Sequence, residues 1–123
     1  MNFSNKTFGV EFEGFGVRQT DLKTALRNAG INADTASYSN RDASYWRIKH
    51  DGSIRGSNGF EIVSPILQGE TGLDEMNTVL RVANELGADV NSSCGFHVHW
   101  GVRGWNLGNF RNLAARFVKF ERA

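Results

Sequence analysis

Two histidines sit two residues apart in the stretch Cys94-Gly95-Phe96-His97-Val98-His99-Trp100-Gly101. In an extended strand, residues i and i+2 share a face. His97 and His99 therefore point one way, and Phe96, Val98 and Trp100 the other. Imidazole is the commonest protein ligand for transition metals and titrates near neutral pH. The stretch from Thr7 to Gly14 divides in the same manner, with Phe8, Val10 and Phe12 on one face and Gly9, Glu11 and Glu13 on the other. Its two carboxylates stand about 6–7 Å apart along the strand. Like charges on one strand face are unfavourable unless water or a cation separates them.

Two further stretches repeat the division. From Tyr45 to Asp51, Trp46 and Ile48 face one way, and Arg47, Lys49 and Asp51 the other. From Gly59 to Leu67, Phe60 and Ile62 face inward and Glu61 outward. If the four strands form one sheet, a single face gathers Glu11, Glu13, Arg47, Lys49, Asp51, Glu61, His97 and His99. A face serving only solubility would use Lys, Thr, Ser and Gln freely. This one concentrates carboxylates and imidazoles, which ligate divalent cations. A bound cation would also relieve the repulsion among the carboxylates. Arg47 and Lys49 beside them can hold phosphate. The bland reading is a solvated polar face laced with internal ion pairs.

The elements that must position these residues follow from periodicity. Thr20 or Asp21 is expected to cap a helix with an apolar stripe of Leu22, Ala25, Leu26 and Ala29, and Gly30 to stop it. Ile31 to Ser44 is polar and turn-like, and reads as a long loop, a candidate lid. Asp51-Gly52-Ser53 is a turn. Pro65 is expected to end clean pairing or to sit at an edge. Thr71 or Asp74 opens a second helix carrying Leu73, Met76, Leu80, Val82, Ala83 and Leu86, with Gly87 as its stop. A last amphipathic helix is predicted from about Asn106 to Phe120, with Leu107, Phe110, Leu113, Ala114, Phe117 and Phe120 on one side. The order is βαββαβ plus a C-terminal helix. This α+β pattern predicts a four-stranded antiparallel sheet with its helices on one face and an open polar face.

The bulk properties exclude several classes. With 123 residues, the chain is expected to form a single domain, residues 1–123. A net charge of +1 gives no basic excess for nucleic acid or anionic membrane. An RNA-recognition sheet would in addition turn aromatics outward. Cys94 is the one cysteine, so a reducing compartment is its natural home. No apolar run approaches the ~20 residues of a membrane span, and the N-terminus lacks the basic region followed by an apolar run that marks a signal peptide. The expectation is a soluble cytoplasmic protein.

In order along the chain, four motifs resemble those of the amidoligase family. They are Phe8-Gly9-Val10-Glu11-Phe12-Glu13, Trp46 through Asp51-Gly52-Ser53, Gly59-Phe60-Glu61-Ile62-Val63-Ser64-Pro65, and Cys94 through His99. That family looks like a branch of the carboxylate–amine ligases related to glutamine synthetase and glutamate–cysteine ligase. The Gly-Phe-His-Val-His stretch is also similar to the glutamine synthetase segment that supplies a metal-binding histidine. The resemblance implies ATP-dependent joining of a carboxylate to an amine with Mg²⁺ or Mn²⁺. Carried over by position, Glu11, Glu13, Glu61 and His97 are the expected metal ligands. Glu11, Glu13, Glu61 and Asp51 form the catalytic set, with Ser53 in the turn beside it. His99 stands where nucleotide phosphate, or support for the ligands, is expected. Phosphate contact by Arg47 or Lys49 rests on their facing, not on the family.

The resemblance also implies that the chain corresponds to the N-terminal half of a glutamine synthetase-like catalytic domain. The site would then be completed by another copy or a second protein covering the open face. An alternative is a catalytically inactive half-domain acting as a protein-binding inhibitor, for example a viral protein blocking a host defence complex. Its interface would be an exposed apolar patch. A third, weaker reading is a zinc hydrolase built on His97, His99 and a carboxylate.

Overall fold

The computed structural model describes residues 3–36 and 44–101. The helix expected from Asn106 to Phe120 lies outside them, as do residues 37–43 of the expected loop and the side chain of Trp100. After a single 3-10 turn at Phe3–Asn5, the first strand is β1, Thr7–Gly14. Its side chains alternate strictly between half-buried and buried, as the sequence alternation requires. Phe8, Val10 and Phe12 enter the core at no more than 7% exposure, and Glu11 and Glu13 face away.

Helix α1 is Gln19–Asn28 and buries Leu22 and Leu26. It begins one residue before Thr20, with Arg18 at the N-cap position and no side-chain cap. Ala29 falls past the helix end and is exposed, not part of the stripe. Gly30 stops the helix in a left-handed conformation, φ 85°. Strand β2, Ala33–Thr35, lies within the stretch read as loop. It pairs parallel to β3, Trp46–His50, with Ala33 opposite Trp46. Strand β4 is Phe60–Val63, β5 is Leu67–Gln68, helix α2 is Gly69–Glu85 and β6 is Phe96–Trp100. Helix α2 starts two residues before Thr71 and has no side-chain cap either.

Among the described residues the sheet has six strands rather than the expected four. The expected four stand side by side as β6, β1, β4 and β3, with every neighbouring pair antiparallel. The two additions are short. Strand β2 extends the edge beyond β3, because Ala33 fills a core position there and Asp34 is tied to Lys23 and Arg27 of α1. Strand β5 continues along the same edge of β1 that β4 occupies. Glu11 pairs with Val63 and Phe8 with Leu67. Between those pairs, Gly9 and Val10 face Ser64, Pro65 and Ile66, so the strand carries one extra residue. Proline has no N–H for a ladder, and a bulge is where it fits. Ser64 substitutes for the interrupted ladder: its hydroxyl accepts the Val10 N–H at 2.8 Å, and its own N–H donates to the Val10 carbonyl at 2.9 Å.

Both helices pack on one face of the sheet. Leu22 and Leu26 of α1 join Leu73, Met76 and Val79 of α2 in one core with Phe8, Val10, Phe12, Trp46, Ile48, Phe60 and Ile62. Burying each such side chain stabilises the fold by roughly 1.5–3 kcal/mol. Trp46 also satisfies its indole N–H, which donates to Glu75 Oε1 at 2.8 Å. No helix among the described residues is long and apolar enough to cross a membrane. The large apolar residues exposed among them are Ile66 in the bulge, Leu86 after α2 and Val90 in the next loop.

Candidate active site

Cross-strand register brings the expected site residues together on the face away from the helices. In one row His97 stands opposite Glu11, Glu11 opposite Val63, and Val63 opposite Arg47. In the next row Glu13 stands opposite Glu61, and Glu61 opposite Lys49. His99 pairs with Gly9, whose missing side chain leaves the imidazole free to lean along β1. It does so diagonally: His99 Nε2 lies 2.8 Å from Glu11 Oε2. Such diagonal neighbours are within reach of long side chains.

His97 leans the other way, toward Glu13. A methyl group on Gly95 would lie 2.9 Å from Glu13 Oε1 and 3.0 Å from His97 Nε2. Gly95 therefore leaves the space into which the two side chains converge. Its backbone is also a site group: the Gly95 N–H donates to Glu13 Oε1 at 2.6 Å, and the Glu13 N–H donates to the Gly95 carbonyl at 3.0 Å. From the other side Asp51 comes within hydrogen-bonding reach of Glu13. Asp51 is fixed by its own turn, since the Ser53 N–H and hydroxyl both donate to Asp51 Oδ1, at 2.9 and 2.5 Å.

This crowding separates the acidities. Burial, followed by the hydrogen bond with Asp51, raises the Glu13 carboxyl above its ordinary value. The Ser53 hydroxyl and then Glu13 hold Asp51 below its own. Within the pair, Glu13 is thus the weaker acid and Asp51 the stronger. Glu61 is also raised, first by burial and then by the charge of Glu11, while Lys49 and His97 pull it back. Neighbouring titratable groups whose acidities are pushed apart are the usual arrangement for acid–base chemistry.

Arg47 is the residue the fold does not bring into the cluster. Buried Val63, 7% exposed, lies between it and Glu11. The guanidinium instead donates to the Ser64 carbonyl at 3.5 Å and lines a separate cavity of about 820 Å³ with Ser44, Thr71 and Glu75. The sequence reading missed the Gly95 amide and Val63. A glycine directly before the histidine strand was the available signal for the first; nothing in the sequence marked the second.

The donor set fits a hard divalent cation by its chemistry: three glutamates on one face, with an imidazole beside them. As the side chains stand, Glu11 is engaged by His99, and Glu13 by Gly95 and Asp51. Among the described residues no three of His, Cys, Asp and Glu are already gathered around a point that could hold a metal ion. A cation would draw these carboxylates from their present partners.

Residues 4–123 match the family model described as "Putative amidoligase enzyme". No curated protein and no solved structure matches the chain. The match runs over nearly the whole length, and the four strands that carry the motifs are neighbours in one sheet; the chain belongs to the amidoligase family.

Proposed function

We propose that this protein is a carboxylate–amine ligase that activates a carboxylate with ATP and joins it to an amine. The supporting observation is the Glu13–Asp51 pair, held between the Ser53 turn and the Gly95 amide. An amine arrives at neutral pH as an ammonium ion and must lose a proton before it can attack an acyl phosphate. Asp51, a carboxylate held in place by the Ser53 turn and not assigned to the cation, can attract the ammonium and accept its proton. In this reading Glu11, Glu13, Glu61 and His97 hold Mg²⁺ or Mn²⁺, which when bound neutralises charge on the transferring phosphoryl group. Lys49, paired across the strands with Glu61 and pulling its acidity back, serves the phosphate in this reading. His99, on Glu11, steadies the outer carboxylate.

The test is calorimetric titration of the full chain with Mg²⁺–ATP, beside a Glu11→Ala/Glu13→Ala variant. Heat of binding in the parent and its loss in a folded variant are expected. A parent that takes up neither nucleotide nor divalent cation at millimolar concentration would remove the reading.

A further inference from the structure

Two loops meet beside the carboxylates. One runs from Asp51 to Gly59 between β3 and β4, the other from Asn91 to Gly95 ahead of β6. Each delivers one group to Glu13: the Asp51 carboxylate from the first, the Gly95 N–H from the second. Gly95 is anchored to β1 directly, through the Glu13 N–H. The Asp51 loop has a different tether on this side. Asn91 Nδ2 donates to the Arg55 carbonyl. The Arg55 N–H donates to Ser93 Oγ at 2.9 Å, and Arg55 Nη2 donates to Ser92 Oγ.

Asn91 is the hub of this clasp. Its Oδ1 accepts the Ser93 N–H at 2.9 Å and the Ser93 hydroxyl at 2.5 Å, and its backbone carbonyl accepts the Cys94 N–H at 3.0 Å. One amide side chain therefore shapes its own loop with its oxygen and grips the other loop with its nitrogen. These hydrogen bonds, at 36–38 residues' separation, tie the loop that begins at Asp51 to the loop that carries Gly95.

We propose that Asn91, acting through Arg55, is a positioning residue for the Glu13–Asp51 pair, and so sets the cation affinity of the open face. This rests on the reading of that face as a divalent-cation site. It assigns a role to a residue that touches neither carboxylate.

The substitution that separates the two halves of the clasp is Asn91→Asp. It keeps the oxygen that accepts from Ser93 and loses the donor to Arg55. It also adds a negative charge near an acidic site, which by itself would strengthen cation binding, so weaker binding can only come from displaced geometry. The experiment is Mn²⁺ titration, followed by electron paramagnetic resonance, of the full chain, Asn91→Asp, Asp51→Asn and the double variant, with melting temperatures alongside. The parent is expected to bind. Asn91→Asp should bind roughly tenfold more weakly, the usual scale for partners of ligating side chains, while melting within a few degrees of the parent. Because Asn91 acts through Asp51, the double variant should bind no more weakly than Asp51→Asn alone; independent roles would add. Parent-like affinity in Asn91→Asp, or additive losses, would overturn the assignment and leave the site standing. Failure of the parent to bind Mn²⁺ would instead overturn the cation-site reading, and the assignment with it.

Discussion

Replacing Ser64 with alanine tests how the bulge is held together. The Val10 N–H at the centre of β1 has no backbone acceptor opposite it, because the extra residue between β4 and β5 moves the next carbonyl out of register. Its partner is Ser64 Oγ at 2.8 Å. Both residues are buried, Val10 at 1% and Ser64 at 6% exposure, so water cannot replace the hydroxyl. Ser64→Ala removes one partner and leaves a buried donor unsatisfied, at a cost of about 1–3 kcal/mol. For a chain between the small and medium size classes, each 1 kcal/mol moves the melting temperature by roughly 3–6 °C. A cost near the middle of that range therefore lowers it by roughly 6–12 °C. Differential scanning calorimetry gives the shift. Hydrogen exchange locates it, since the Val10 amide should lose protection beyond the global loss. A melting temperature within about a degree of the parent, with Val10 still protected, would refute this account of the bulge.

Two further outcomes concern the site. Gly95→Ala puts a methyl group against Glu13 Oε1 and His97 Nε2, at 2.9 and 3.0 Å. Both are ends of movable side chains, so stability should fall by no more than about 1–2 kcal/mol, while Mg²⁺–ATP binding by calorimetry should fall more than roughly tenfold; unchanged binding would show that Glu13 and His97 do not act together. Glu61→Gln should raise the melting temperature near neutral pH. The folded state raises the Glu61 carboxyl, chiefly by burial, so ionising it costs folding free energy once the pH exceeds the raised value. Below about pH 4 the carboxyl is protonated both folded and unfolded, and the gain should vanish; a gain that persists there would rule out this cause.

Much of this arrangement was legible because the relevant residues sit on alternating strands. Phe8, Val10 and Phe12 announce which face of β1 is buried, and the carboxylates between them must then occupy the other. The helix ends were legible for a local reason: Gly30 and Gly87 take positive φ, 85° and 90°, which glycine permits. Strand β2 was not legible. Ala-Asp-Thr carries no alternation long enough to register, and it is a strand only because β3 offers an edge and α1 supplies Lys23 and Arg27 for Asp34. Pro65 signalled the break in the third strand, but Leu67 resumes pairing only because β1 is still there to receive it. Within the site, the residues were legible and their pairings were not. That His99 takes Glu11, that Gly95 takes Glu13 and that Arg47 turns to Ser64 all depend on cross-strand register. Register is set by contacts between segments far apart in sequence.

Strand β1 is the second strand in from the β6 edge, yet it is made first and completed last. Its two flanks come from β4 and β5 on one side and from β6, at residues 96–100, on the other. While the chain is being synthesised, Glu11 and Glu13 therefore wait some eighty residues for His99 and the Gly95 amide, 88 and 82 positions away. Until then they face Glu61 across a half-built sheet, with like charges opposed. Long-range pairings of this kind are closed late and slowly. The chemistry-bearing face thus has a temporal order built into it: the strands that carry the carboxylates, β1 and β4, are made before the histidine strand that completes it. An emerging chain is kept from displaying an assembled site until the histidine strand has been made.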